Sequence, residues 1–140
     1  MKKKRHWFWN TLIVLTLITV LFAFLAHYKN WTRIEEGHFK VLSGVYYKKI
    51  PLDEIDQVSM VAKIPSMERI NGFSAMAKEK GIFKDSITQL KTYVYVDNLA
   101  QHKIKIEYQD SLHLFLNYAD STDTAELYQK FAAMLAAREK

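Results

Sequence analysis

The sequence predicts an α+β protein: one N-terminal membrane-spanning helix, then an antiparallel domain of about seven short strands closed by a C-terminal helix. Three observations carry this. Thr11 to Ala26 holds no charged residue. After about residue 38, apolar residues recur with period two, the signature of strands with one buried face. Near the end, Leu127, Phe131, Met134 and Leu135 form a stripe at helical spacing, with Tyr128 alongside.

The predicted span is Trp7 to Tyr28, preceded by a basic flank over 1–6. Its 22 residues, at about 1.5 Å each, cross a hydrocarbon layer of about 30 Å. Trp7, Phe8 and Trp9 at one end and Tyr28 and Trp31 at the other suit the headgroup zone, where an amphipathic ring meets both media. A helical threonine hydroxyl bonds back to its own turn, so the three threonines are tolerable. As a soluble helix the segment would have no polar face for water. MKKKR before an apolar run also describes a signal peptide, giving a secreted domain after cleavage. A cut after Ala26 puts Phe24, and one after Ala23 puts Leu21, where a small residue is wanted. Lys2, Lys3, Lys4 and Arg5 outweigh Lys29, Arg33 and Lys40, which predicts a cytoplasmic N-terminus and an extracytoplasmic domain in the cell membrane.

Residues 29–37 have linker-like composition, and the folded domain is placed at 38–140. Phe39–Leu42 and Val45–Tyr47 are β-prone runs joined at Ser43-Gly44, a hairpin turn or bulge. Pro51-Leu52-Asp53-Glu54 suits a turn or one helical turn. Val58, Met60, Ala62 and Ile64 alternate until Pro65 ends the strand. Asn71-Gly72 reads as a tight turn, because both residues tolerate positive φ, and Lys80-Gly81 marks another. Lys91–Val96 is a strand with Thr92, Val94 and Val96 on one face and Tyr93 and Tyr95 on the other. In Lys103–Tyr108 against Leu112–Asn117, Tyr108 must face Leu112 for Ile104, Ile106 and the leucines to share a face. A one-residue slip would turn the leucines outward. Asp123 with Glu126 reads as the helix N-cap with its reciprocal partner, with Ser121 or Thr122 as alternatives.

Pro65, Arg69-Ile70-Asn71-Gly72-Phe73, Gly81-Ile82-Phe83, and Asn117-Tyr118-Ala119-Asp120 leading to Thr124 resemble recurring segments of bacterial pleckstrin-homology-like domains. The resemblance covers roughly Phe39 to Leu135. It implies a curved, partly open barrel capped by the C-terminal helix, and implies no activity, since this fold hosts binding and scaffolding of many kinds. Relatives that hold phosphoinositides use a basic cluster in the first hairpin. Lys40, Lys48 and Lys49 without an arginine argue against that ligand here.

The chain has 20 basic and 15 acidic residues. Six of the basic ones (Lys2, Lys3, Lys4, Arg5, Lys29, Arg33) precede every acidic residue, so from Glu35 onward 14 positive charges meet 15 negative. Nucleic-acid binding needs clustered positive charge on the folded domain and is not expected. No cysteine is present, which removes thiol chemistry and disulfides. The histidines lack metal-ligand spacing; His6 and His27 flank the span, and His113 falls opposite Glu107 on the solvent face. Asp110, Ser111 and His113 form no triad, because the first two make the hairpin loop. Asp53, Glu54 and Asp56 lack the spacing and glycine of a calcium loop. An enzyme is not expected, nor is a cofactor or a metal.

The remaining candidates are partner contacts. Arg69 either ties its turn to a carboxylate or, with Lys78 and Lys80, contacts an anion at the sheet rim. Tyr93, Tyr95 and Phe115 either form an exposed apolar patch, which marks a protein contact, or lie buried. The favoured function is a membrane-anchored, non-catalytic binding or scaffolding module with a protein partner. The alternative is a small-molecule or lipid-binding carrier, or an enzyme, using the barrel interior.

Overall fold

The computed structural model describes residues 3–140. Helix α1 (Lys3–Tyr28) contains one stretch, His6–Tyr28, long and apolar enough to cross a membrane, with none of it buried. Bare side chains such as Leu17 and Phe22 point outward all round. Thr11, Thr16 and Thr19 each donate a hydroxyl hydrogen bond to the carbonyl four residues back, at 2.8–2.9 Å, so no hydroxyl faces the apolar surroundings unpaired.

Strand β1 (Asn30–Glu35) begins one residue after α1, followed by β2 (His38–Ser43) and β3 (Tyr46–Pro51). A single 3-10 turn, Leu52–Glu54, leads to β4 (Ile55–Val61). Then come β5 (Met67–Ala75), β6 (Lys78–Asp85), β7 (Lys91–Val96), β8 (Lys103–Tyr108), β9 (Leu112–Asn117) and α2 (Ser121–Arg138). Most of the predicted linker therefore forms a strand: β1 pairs along β2 from Asn30↔Ser43 to Glu35↔His38. Polar composition suggests slack, but Asn30, the first residue of β1, is almost fully buried and fully hydrogen-bonded, which fixes this stretch to the domain.

The nine strands among the described residues form two sheets, β1-β2-β3 and β4-β8-β9-β7-β6-β5, and no closed barrel. The fold is α+β as expected, with more strands and one departure from antiparallel pairing: β7 runs parallel to β9. The connection from β7 to β8 passes over the place beside β7, and the returning hairpin strand β9 fills it. Asn117 at the end of β9 secures that crossing, accepting from the backbone N–H of Asp97 and Asn98 and donating to the carbonyls of Asn98 and His102.

The β8–β9 register agrees with the sequence reading, with Tyr108 opposite Leu112 and Glu107 opposite His113. Two predicted turns do not form. Asn71-Gly72 lies inside β5 and Gly81 inside β6, where Gly72 and Gly81 face one another. A Cβ on Gly72 would meet the Lys80 carbonyl oxygen at 2.4 Å, and one on Gly81 would meet that of Asn71 at 2.2 Å. Both have positive φ, +149° and +156°. The glycines thus serve close strand approach, while the chain reverses at Met76-Ala77, with Met76 at φ 53°. Asp120 caps α2, its carboxylate accepting from Thr122 N–H at 2.8 Å, in place of the expected Asp123.

The main core lies between the sheets and α2. Phe39, Val41 and Ile50 meet Tyr95, Ile104, Ile106, Leu114 and Leu116, with Leu127 and Phe131 closing it. The Phe39 and Phe131 rings meet edge to face at 4.9 Å. A second cluster, Phe83, Val94, Val96 and Phe115, covers the other face of the large sheet under Val61, Ile64 and Met67.

Candidate functional site

The most elaborate polar arrangement is where α1 enters the domain. The last carbonyls of a helix lack partners within it. Here the domain supplies them: Gly44 N–H donates to the Ala26 carbonyl at 3.2 Å, and the Lys78 ammonium donates to that of Tyr28 at 2.7 Å. The His27 ring lies over Gly44, where a Cβ would meet it at 2.6 Å, and 5.4 Å from the Phe73 ring. Gly44, at φ +63°, both makes the β2–β3 turn and clears room for that imidazole.

Beneath these contacts lies a buried cluster. Asn30 donates its backbone N–H to Asp97 Oδ2 at 2.9 Å, and its amide nitrogen to the carbonyls of Tyr95 at 2.6 Å and Asn117 at 2.7 Å. Its Oδ1 accepts from the Ser43 hydroxyl and from Lys80 Nζ. Asp97 Oδ1 faces Lys80 Nζ at 3.0 Å and Lys78 Nζ at 3.2 Å, with the side chains of Asp97 and Lys80 fully buried. Burial pushes the Lys80 ammonium below its ordinary pKa, and the Asp97 carboxylate opposes that. Two ammonium groups around one carboxylate leave positive charge at the carbonyl end of α1, where the helix dipole favours it. Chemically the arrangement is a clamp joining β1, β2, β6, β7 and β9 to the helix end.

The anion-contact trio does not converge. Lys78 and Lys80 belong to the clamp. Arg69 sits on the opposite face of the large sheet, its guanidinium 3.6 Å from the Glu79 carboxylate, bonded to the Ser74 hydroxyl and 5.7 Å from the Phe83 ring. The aromatic trio is not an exposed patch. Tyr95 and Phe115 are each 1 % exposed, on opposite faces of the sheet. Tyr93 is half-buried under the Lys48 ammonium, 4.4 Å from its ring centroid. A two-sided sheet buries both sets of an alternating strand, so alternation alone did not identify an outer face.

The first-hairpin lysines also separate: Lys40 and Lys49 are cross-strand neighbours, whereas Lys48 turns toward Tyr93. His113 pairs with Glu107 at 3.4 Å. The carboxylates near the 3-10 turn brace the β8–β9 loop, Glu54 accepting from the Gln109 amide at 2.7 Å and Asp56 from Asp110 N–H at 2.7 Å. Among the described residues, no three His, Cys, Asp or Glu side chains gather as metal ligands would.

Sequence reasoning missed Asn30 and Asp97, which bond to each other across 67 residues of chain, and gave Asn117 only as part of the family resemblance. It also missed Lys103, which alternates with the buried Ile104 along β8. Lys103 is 2 % exposed and donates to the carbonyls of Ala62 and Leu99, and burial pushes its pKa down. It lines a cleft of about 420 Å³ with Lys63, Ile64, Met67, Glu79 and Phe83. Comparison with protein-family models, curated proteins and solved structures gives no match to this chain.

Proposed function

We propose that this chain is a membrane-anchored, non-catalytic binding or scaffolding module, of pleckstrin-homology-like type, that presents its domain to a protein partner at a fixed attitude to the bilayer. The observation that carries this is the clamp: Lys78 on the Tyr28 carbonyl, Gly44 on that of Ala26, and Asn30 buried on Asp97. A tether that only localises a domain needs no such fastening. One that sets orientation does. The Asn117, Asp120 and Thr124 entry to α2 supports the family likeness, since Thr124 accepts from Tyr118 N–H at 3.0 Å and Asp120 caps the helix. The charge bias about the span supports an extracytoplasmic domain.

The test is photo-crosslinking in native membranes from Ile70, half-exposed on the edge strand β5, with and without a short Gly-Ser insert between Tyr28 and Lys29. A discrete protein adduct that the insert abolishes, while the protein stays in the membrane, supports the reading. An adduct indifferent to the insert refutes fixed presentation. A mature chain shortened by the length of α1 favours a secreted domain instead.

A second reading, carriage of a small anionic molecule, draws on the cleft beside Lys103, whose buried ammonium bonds only carbonyls. Retention of such a molecule through purification, abolished by Lys103→Met, would favour it.

A further inference from the structure

The outer face of the β1-β2-β3 sheet is ordered in rows. Nearest α1 is the β2–β3 turn, where Val45 is 75 % exposed beside Gly44, itself bonded to Ala26. Next comes the cross-strand row Trp31, Leu42 and Tyr47, all exposed. Behind it is the row Arg33, Lys40 and Lys49. Glu35 bridges Arg33 at 3.3 Å and Lys40 at 3.1 Å, and Glu36 lies 3.7 Å from Lys40, so three cations meet two carboxylates and the row keeps a single net positive charge. Successive rows are about 7 Å apart, two residues along a strand. Met76, at the β5–β6 turn two residues from the Lys78 that holds Tyr28, is 99 % exposed.

We infer that this end of the domain is seated in the bilayer that holds α1: Val45 and Met76 at the acyl boundary, the Trp31 row among the headgroups, and the basic row above it, its long side chains reaching back toward the lipid phosphates. The inference rests on α1 spanning the membrane. If the span ends at Tyr28, Trp31 lies within about 10 Å of the hydrocarbon edge, three residues of extended chain away. The headgroup layer is about 5–8 Å deep on each side. The clamp leaves the row no slack to retreat. The order apolar, aromatic, basic is the order of a membrane interface from acyl chains to phosphate.

The chain has no cysteine, so single cysteines can carry a fluorescent depth probe. Full-length Val45→Cys, Tyr47→Cys, Met76→Cys and Ile87→Cys variants are labelled and reconstituted into phosphatidylcholine–phosphatidylglycerol vesicles. A fraction of the lipid carries a nitroxide near the top of the acyl chain. Ile87, 92 % exposed at the β6–β7 turn, is the control at the far end of β6. All four sites are exposed, so folding is not at issue. Severalfold stronger quenching at 45 and 76 than at 87, with 47 intermediate, is the expected result. Equal quenching at all four, with the protein resisting alkaline extraction from the vesicles, overturns the seating while sparing the span. Release by alkaline extraction overturns both. A probe at 45 shielded by a second copy of the chain, seen as a dimeric cysteine cross-link, also overturns the seating.

Discussion

Replacing Asp97 with Ala tests the clamp most directly. Its carboxylate is fully buried between the fully buried Lys80 ammonium at 3.0 Å and Lys78 at 3.2 Å, and it also accepts the Asn30 N–H at 2.9 Å. Removing one partner of a buried pair leaves an uncompensated charge, which costs about 3–5 kcal/mol. For a domain of this size that lowers the unfolding midpoint by more than about 10 °C. Replacing both partners with apolar residues of similar volume avoids the stranded charge. The double variant Lys80→Met/Asp97→Leu is therefore expected to lose well under the sum of Lys80→Met and Asp97→Leu, by at least about 1 kcal/mol. The assay is urea unfolding of the full chain in mild detergent, with hydrogen exchange at residues 28–31 as a second readout. A loss below about 1 kcal/mol for Asp97→Ala, or strict additivity in the cycle, refutes the reasoning. Unchanged protection at the helix–strand joint would separately refute the idea that this cluster fastens α1.

Gly81→Ala forces a Cβ against the Asn71 carbonyl and is expected to cost more than about 2 kcal/mol in thermal unfolding, whereas the added methyl of Gly37→Ala meets nothing within 4 Å and that variant loses only about 1 from its positive φ. Phe115→Ala, in the smaller core, is expected to lose about 3–5 kcal/mol in the same measurement; a near-neutral result would restore it to the surface. Arg69→Gln breaks a half-exposed pair with Glu79 and is expected to change stability by less than about 1 kcal/mol in denaturant titration. Burial first, then Lys105, pushes His113 below its ordinary 6.5, against the pull of Glu107 and Asp85. The unfolded chain then takes up the proton first, so stability is full above pH 6.5 and falls as pH drops toward the lower folded value. His113→Gln is expected to flatten that part of the stability–pH profile.

What the sequence disclosed was local. Lys91–Val96 and the β8–β9 hairpin match the structure residue for residue, because alternation and the need to bury three leucines together leave one register. The Ser43-Gly44 turn and the 3-10 turn after Pro51 were legible for the same reason: each depends on neighbours in the chain. Glycine was ambiguous. It signals a reversal or a close approach, and Gly72 and Gly81 are the latter, while the real reversal at Met76-Ala77 carries no turn residue. The clamp was invisible for a different reason. Lys78 and Lys80 read as rim cations because nothing nearby in sequence shows that Asp97 waits for them across a strand.

The single residue between α1 and β1 has a consequence for reach. A flexible tether of nine residues would let the domain wander by about 15–18 Å. With only Lys29 at the joint, the helix end and the domain behave as a bracket and not as a tether. Any twist or vertical shift of α1 is delivered straight into the β-sheets.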